Sequence, residues 1–358
     1  MFLAIRDIRF ARGRFVLMGG VIALITLLLV MLSGLTAGLA NQSTSAIAAL
    51  PVQQIVFGAP AGGEPKASFT ESEVSTGQLT TWREQPGVAS VQELGISQSR
   101  FQSLAADGAA TGTANVAVFG GSLGPRVQEG TAVIGEGVAR ELDLREGSRV
   151  QVGGLHLTVS SVVEDQWYSH TSVVWTTLGD WRTIAHAAPG KATVLGVTHD
   201  GGTSLDTDAA NAAAGTVSAD PVASFQALAS YKSENGSLML MQAFLYGISA
   251  LVIVAFLTVW TVQRTRDIAV LRALGGSSGY VLRDALAQAV VVLLAGSVTG
   301  GVLGLAGGLA AVQAAPFLLT PFTTVLPVLG IIVLGLLGSV LAVRRVTRID
   351  PLLALGGN

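Results

Sequence analysis

The sequence predicts an α-helical membrane protein with four transmembrane helices and a mixed α/β domain inserted between helices 1 and 2. Half of its 358 residues are hydrophobic and only 12% are charged, which is about half the charged fraction of soluble domains. The charge is also unevenly distributed, because residues 15–63, 236–263 and 285–343 contain none. A helix that crosses a bilayer needs about 20 apolar residues, so each of these stretches is long enough to contain a span.

The three uncharged stretches divide into four spans. The first two stretches each contain one apolar helix. The third is too long for one crossing and is interrupted by Pro316 and Pro321, which favours a turn between two helices. The predicted segments are spans at 15–40, 236–263, 281–313 and 325–343, an amphipathic helix at 1–14, the inserted domain with its linkers at 41–235, loops at 264–280 and 314–324, and a tail at 344–358.

Basic residues cluster in three short segments, residues 1–14, 264–284 and 344–358. These segments contain 11 of the 21 lysines and arginines and only four acids, whereas residues 64–234 contain ten basic and 19 acidic side chains. Because lysines and arginines in short loops remain cytoplasmic, we predict a multi-pass plasma-membrane protein with both termini and the middle basic segment in the cytoplasm. A cleaved signal peptide is the alternative, but the first apolar run exceeds the usual length of about 7–15 residues.

The inserted domain shows a mixed α/β pattern. Alternating apolar runs predict short strands, and Gly153-Gly154 predicts a hairpin turn between two of them. Thr70 and Glu73 match a capping box at the start of a helix. Small polar residues at 45–65 and 200–220 suggest linkers. The predicted elements are strands at 116–119, 131–134, 149–152 and 155–163, and helices at 72–84 and 137–144.

The first charged segment has an apolar helical face. Phe2, Ile5 and Ile8 lie on one side of a helix, with Arg6 and Arg9 beside them. Such a helix lies in the membrane interface with its arginines toward anionic lipid. The alternative is a plain charged flank of the first span.

The middle charged segment also predicts a short amphipathic helix. Ile268, Leu271 and Leu274 share one helical face, and the Gly-Gly-Ser-Ser sequence from Gly275 ends the helix. A helix of this length cannot bury its apolar face alone. We therefore expect it to lie on the membrane or to dock into a groove on another protein.

Four stretches resemble the FtsX/MacB-type ABC transporter permeases, in the order and on the topology of that family. They are LAIRDIRFARGRF near the N-terminus, residues 130–165 of the inserted domain, RTRDIAVLRALGGSSGYVLRDALAQA after the second span, and VRRVTRIDPLLALGG at the C-terminus. The resemblance implies an amphipathic N-terminal helix, an extracytoplasmic core domain, a coupling helix between spans 2 and 3, and a closing motif. Together the four stretches are distributed along almost the whole chain.

This resemblance implies a permease subunit that forms a homodimer and binds two copies of an ABC ATPase, which hold ATP and magnesium. The residues implied in coupling to the ATPase are Arg266, Asp267, Ile268, Leu271, Arg272 and Leu274. The alternative is a solvated loop whose arginines only set topology. The chain has three lysines and no G-x-x-x-x-G-K-[ST] phosphate loop, so we expect it not to be an enzyme in its own right.

Other chemistries have little support in the sequence. Residues 120–124 match the nucleophile motif G-x-S-x-G, but Pro125 and the residues after it do not resemble the helix that the motif requires; a glycine-rich turn is the ordinary interpretation. There is no cysteine, and the four histidines are widely spaced, so we expect no metal site or cofactor belonging to the chain. A net charge of −2 gives no reason to expect a nucleic-acid partner.

Small residues recur at four-residue intervals in two spans. This spacing lets helix backbones approach closely. Packing within the permease and packing across a homodimer both remain open. The residues are Gly34 and Gly38 in span 1, and Gly296, Gly300, Gly304 and Gly308 in span 3.

The four-span layout and the small external domain resemble the haem exporter permeases of Gram-positive bacteria, the HrtB group, which implies haem as the exported substrate. A haem site needs apolar surroundings and an axial ligand for the iron. Residues 230–241, at the outer end of span 2, offer both. The candidate haem-binding residues are Tyr231, Lys232, Glu234, Met239 and Met241, with Glu234 or Tyr231 nearest the iron and Lys232 near a propionate. Each also has an ordinary interpretation as an interface anchor, a helix-start acid or a lipid-facing side chain.

Two other functions stay open at this point. One is an FtsX-like mechanotransmission subunit, in which ATP-driven movement activates an external partner and nothing crosses the membrane. The other is export of a lipid, peptide or antibiotic. A partner-binding insertion in the external domain would favour the first, and ligand spectra would separate haem from the second.

Overall fold

A computed structural model describes residues 12–60, 63–202, 204–263 and 278–347. The chain forms two compact units, one made of Met1–Gly38 and Ser237–Asn358 and the other of Leu39–Gly236. The amphipathic face predicted near the N-terminus, the predicted coupling residues and most of the C-terminal motif lie outside the described residues.

The described residues form eight α-helices and twelve strands. The helices are α1 (Arg12–Ala48), α2 (Thr76–Arg83), α3 (Glu136–Glu141), α4 (Leu178–Ile184), α5 (Thr207–Ala214), α6 (Ala229–Gln263), α7 (Ser278–Ala311) and α8 (Pro321–Thr347). The strands are β1 (Gln54–Phe57), β2 (Val74–Ser75), β3 (Val88–Leu104), β4 (Ala110–Gly121), β5 (Thr131–Gly135), β6 (Arg149–Val152), β7 (Leu155–Val163), β8 (Trp167–Tyr168), β9 (Thr171–Thr176), β10 (Lys191–Ala192), β11 (Val194–His199) and β12 (Val217–Ala219).

Four of these helices, α1, α6, α7 and α8, are long and apolar enough to cross a membrane, judged by length and composition. The α/β unit is inserted between α1 and α6 in the chain, so the predicted fold class is confirmed. The helices are longer than the predicted apolar spans, because α1 continues to Ala48, α6 begins at Ala229 and α8 begins at Pro321. Hydrophobicity predicts only the lipid-crossing part of a helix. The helix itself continues through uncharged polar residues such as Thr44, whose hydroxyl donates to the Ala40 carbonyl.

The glycine stripe of α7 packs against α1 of the same chain. A Cβ added at Gly300 would lie 2.2 Å from the Ala23 carbonyl oxygen, and one added at Gly304 would lie 2.8 Å from the Val30 side chain. The helix backbones therefore approach so closely that only glycine fits along this seam. This contact assigns the stripe of α7 to packing within the chain.

The α/β unit is built on one ten-stranded sheet. Its strands lie in the order β12-β1-β11-β3-β4-β9-β5-β7-β6, with β8 attached to β9. The 17-residue strand β3 pairs with β4 along most of its length, with β11 near its start, and with β6 through Phe101–Ser103. Because β3 meets β6, the six strands β3, β4, β9, β5, β7 and β6 close into a ring.

One core of this unit joins the sheet to the last turns of α1. Its buried residues include Ala46 and Ile47 from α1, Phe119 from β4, Tyr168 from β8 and Leu228 just before α6. Both ends of the inserted unit therefore pack into a single core with the β8–β9 hairpin. This arrangement places the hairpin beside the first residues of α6.

The segments predicted as linkers contain strands and a helix that belong to the α/β unit, which corrects that prediction. Residues 54–57 form β1, whose Ile55, Val56 and Phe57 are completely buried. Residues 207–214 form α5, which is capped by Asp206. The small polar residues around these segments concealed a four-residue apolar strand and an alanine-rich helix.

Two predicted helix boundaries also differ from the structure. The helix predicted at 72–84 begins at Thr76, because Ser75 and Gln78 form the capping box that was assigned to Thr70 and Glu73. The helix predicted at 137–144 spans Glu136–Glu141. The strands predicted at 149–152 and 155–163 have those bounds in the structure, and they flank a turn in which Gly153 and Gly154 both have positive φ.

Candidate functional site around His170 and Glu234

The β8–β9 hairpin has a strained two-residue loop. Ser169 and His170 occupy the loop, and their φ values are 46° and 63°. Two left-handed residues form the hairpin turn that favours Asn-Gly, and side chains other than glycine cost about 1 kcal/mol each in this conformation. Strain of this kind persists only where the surrounding structure fixes it, and it often marks a functional position.

Main-chain hydrogen bonds hold this loop against the last turns of α1. The amide of Ser169 donates to the Ser43 carbonyl at 3.1 Å, and the amide of His170 donates to the Gln42 carbonyl at 3.0 Å. The amide of Trp167 donates to the Ser45 hydroxyl at 2.9 Å. The loop conformation is therefore fixed by α1.

Tyr168 anchors the same hairpin in the core of the α/β unit. Its ring is buried and makes edge-to-face contacts with Phe69 and Phe119, at centroid distances of 6.0 Å and 5.4 Å. Burial raises the pKa of the Tyr168 phenol above its ordinary value, so the side chain stays neutral. The buried ring therefore fixes the end of β8 next to Ser169 and His170.

The His170 ring joins α1 to α6. Its Nε2 lies 2.8 Å from Oε2 of Glu234 and 3.1 Å from the hydroxyl oxygen of Ser43. Both ionisable side chains are partly exposed, 30% for His170 and 42% for Glu234. The pair is therefore accessible to a ligand, and its Coulomb energy is reduced by solvent.

The other candidates for haem binding are placed differently. The Tyr231 ring packs edge-to-face on Phe225 at 5.7 Å and lies against the buried core. Lys232 is exposed. Met239 and Met241, further along α6, are 61% and 50% exposed. Of the five candidates, the structure gives Glu234 a polar partner and Tyr231 a packing role.

A cleft of about 600 Å³ lies next to the hairpin. Its apolar lining comes from Phe69, Ile96, Tyr168 and Leu228, and uncharged polar side chains lie around them. Ser169 and Ser230 both line it, and their hydroxyl oxygens are 3.5 Å apart. The volume falls within the usual range for a small-molecule site.

The G-x-S-x-G match does not form a nucleophile elbow. Strand β4 ends at Gly121, but the next element is strand β5, so no helix follows the serine. The Ser122 hydroxyl donates to the amide oxygen of Gln92 at 2.6 Å. An amide oxygen is not a general base, so this hydroxyl lacks the activation that the motif supplies.

Sequence reasoning missed His170. The histidines were judged by their spacing for a metal site, and within the described ranges no group of three or more His, Cys, Asp or Glu side chains is close enough to hold a metal ion. His170 lies 64 positions from Glu234, so no local pattern connects them. The signal in the sequence that could have indicated His170 is its position in a two-residue gap, Ser169-His170, between two short apolar runs.

Comparison with known families finds two matches that together cover most of the chain. Residues 15–231 match the MacB-like periplasmic core domain, and residues 239–351 match the C-terminal domain of FtsX-like permeases. The first match alone includes more than half of the chain. The boundary between the two matches falls within α6.

Several relatives align along the whole chain. An uncharacterized ABC transporter permease of Mycobacterium bovis is 27% identical over 373 residues, covering 100% of this chain and 99% of the relative. The permease HrtB of Staphylococcus haemolyticus, whose name assigns it provisionally to a hemin transport system, is 24% identical over 363 residues with the same coverage.

Two solved structures show a more distant similarity. The extracellular domain of the ABC-type transporter YknZ is 14% identical with a TM-score of 0.33, covering 47% of this chain and 98% of that structure. The periplasmic region of MacB from Actinobacillus actinomycetemcomitans is 9% identical with a TM-score of 0.37, covering 49% of this chain and 92% of that structure.

Proposed function

The chain belongs to the FtsX/MacB-type ABC transporter permeases, and we propose that it is the permease subunit of an exporter that moves haem and is driven by a separate ATPase. The observation that supports haem as the substrate is the full-length alignment with HrtB permeases. The chemistry around Glu234 supports it. Haem combines a flat apolar ring with an iron that needs an axial ligand.

The surroundings of Glu234 suit such a cargo. Glu234 lies in the second turn of α6 and keeps 42% of its side chain exposed. The neighbouring cleft offers an apolar lining with aromatic rings, and exposed Lys232 is the cation for a propionate. We place the haem iron near Glu234, with the Tyr231 hydroxyl as the other candidate donor.

The assembly proposed for transport is a homodimer with two ATPase subunits. The cytoplasmic helix that contains Leu271 contacts the ATPase, and the α/β unit lies outside the cell. The partition of charge between residues 64–234 and the three basic segments supports this orientation. ATP and magnesium bind to the ATPase subunits. Each permease chain contributes one set of haem-binding residues, so the homodimer has two sets.

The orientation gives a labelling prediction. The chain has no cysteine, so single cysteines report one position each. We expect Ser278→Cys and Gly357→Cys to resist an impermeant thiol reagent in intact cells, and Ala109→Cys, in an exposed loop, to react. Reaction of Ser278→Cys before the cells are broken would reverse the proposed topology.

Haem titration of the purified protein in detergent tests the cargo. We expect wild type to bind haem and Glu234→Ala to bind it roughly ten-fold more weakly or worse, because loss of an outer-shell partner alone costs about ten-fold in affinity and loss of the ligand itself costs at least as much. Tyr231→Phe keeps the ring packed on Phe225 and removes only the hydroxyl. A changed Soret band in this variant would assign the hydroxyl to the iron.

The matched control for the titration is Glu146→Ala, which removes an exposed acid elsewhere in the same unit. We expect it to bind haem as wild type does. If wild type binds no haem above a detergent blank, the proposed cargo is wrong and the family assignment stands. If both Glu234→Ala and Tyr231→Phe match wild type, the haem site lies elsewhere, and Met239 and Met241 become the next residues to change.

A further inference from the structure

The hydrogen bonds of His170 indicate which ring nitrogen keeps a lone pair that could bind a metal. A carboxylate can only accept a hydrogen bond, so Nε2, at 2.8 Å from Oε2 of Glu234, carries a proton. In a neutral imidazole the other nitrogen, Nδ1, then holds the lone pair. The hydrogen bonds of the described residues include none to Nδ1 of His170, and the side chain is 30% exposed.

This is the arrangement that metal-ligating histidines adopt. One ring N–H donates to a carboxylate, which fixes the tautomer and raises the basicity of the other nitrogen, and that nitrogen binds the metal. Here the Ser43 hydroxyl oxygen lies 3.1 Å from the same Nε2 and can accept from its N–H as a second, shared acceptor. His170 and Ser169 also both adopt left-handed conformations that Asn-Gly would adopt more easily, so contacts outside the loop hold it in this conformation.

The cleft described above is lined by residues close in the chain to His170 and Glu234, and its lining is partly apolar and partly polar. Ser169, next to His170 in the chain, and Ser230, one helical turn before Glu234, both line the 600 Å³ cleft. Buried Phe69, Ile96, Tyr168 and Leu228 supply its apolar lining.

We propose that Nδ1 of His170 is the axial ligand of the haem iron and that Glu234 is a positioning residue that holds the ring through Nε2. This inference rests on the proposed function, because it takes haem as the cargo. It replaces a direct iron–carboxylate bond with a carboxylate–imidazole–iron arrangement.

The test uses the full chain, purified without a histidine tag, with its histidines labelled with ¹⁵N and loaded with ferric haem. Pulsed electron paramagnetic resonance detects hyperfine coupling between the iron and a bound nitrogen. We expect histidine ¹⁵N coupling in wild type and its loss in His170→Asn. Asparagine tolerates the left-handed backbone, so this variant removes the imidazole and keeps the loop.

His186→Asn is the matched control, because His186 is another histidine with positive φ, 51°, and its side chain is exposed. We expect it to keep the coupling. We expect Glu234→Gln to keep the coupling as well, since an amide oxygen also accepts from Nε2–H, but to bind haem roughly ten-fold more weakly. A merely structural role of Glu234 would leave the affinity and the Soret band unchanged.

The outcomes separate this inference from the proposed cargo. If wild type binds haem but shows no histidine coupling, or if His170→Asn retains the coupling, the ligand assignment is wrong and haem export stands. If wild type binds no haem above a detergent blank, both are wrong. Coupling that disappears in His170→Asn and persists in His186→Asn supports the assignment.

Discussion

Replacing Gly300 by leucine is expected to destabilise the helical unit formed by Met1–Gly38 and Ser237–Asn358 more than any other single change considered. A Cβ at this position would lie 2.2 Å from the Ala23 carbonyl oxygen and 2.8 Å from the Thr26 side chain. The first neighbour is backbone, so it cannot rotate away, and α1 and α7 must separate. Overpacking of this kind costs about 1–3 kcal/mol or more. We expect a lower melting temperature in detergent and less monodisperse protein after purification.

The control for this change is Gly247→Leu. Gly247 lies in α6, is exposed, and a Cβ there would meet nothing within 4 Å. Its leucine adds the same volume at a position without close neighbours, so we expect a melting temperature close to that of wild type. Equal stability of the two variants would contradict the packing of α7 on α1, and destabilisation of Gly247→Leu alone would place a helix interface at α6.

The glycine stripe of α7 shows that the sequence predicts a close helix contact but not the helix that makes it. The four-residue interval of Gly296, Gly300 and Gly304 predicted a close helix contact from the spacing alone. The partner could not be predicted, because a stripe of small residues defines a surface and carries no information about the opposite one. The structure supplies it through Ala23 and Val30 of α1.

The architecture was predictable because it depends on features that extend over many residues. Long uncharged stretches and the segregation of arginines determine spans whatever the local sequence is. Short elements were less predictable. The sequence pattern predicts a linker at β1, because an isolated apolar run of this length is equally compatible with a loop. In the structure Ile55 and Phe57 of this four-residue strand are fully buried.

The candidate site shows a second limit of sequence reasoning. Glu234 was identified from its place at the start of span 2, which is a local property. Its partner His170 lies in a hairpin of the α/β unit, in a Ser-His loop that lacks the Asn-Gly signature. The pairing exists because Tyr168 is buried and the loop is bonded to Gln42 and Ser43, and these contacts are set by tertiary structure.

The second large effect is expected at the ATPase contact. The sequence pattern predicts Leu271 at the centre of an apolar helical face that Ile268 and Leu274 complete, and we propose, from the resemblance to the family, that this face docks on the ATPase. Leu271→Asp would bury an unpaired charge in that interface, which costs about 3–5 kcal/mol. Since each 1.4 kcal/mol changes an equilibrium constant about ten-fold, we expect the affinity for the ATPase to fall by roughly a hundred-fold or more and transport to stop.

Ala273→Asp is the matched control, because two positions along a helix correspond to about 200° of rotation, so the same charge is placed on the opposite face. Both variants should insert normally, since the change lies outside the four spans. Co-purification with the ATPase and ATP-dependent haem efflux from cells measure the result. We expect both to be lost in Leu271→Asp and kept in Ala273→Asp. Normal recovery of the complex with Leu271→Asp would show that this face does not contact the ATPase, and loss in both variants would show that the whole loop, rather than one face of a helix, makes the contact.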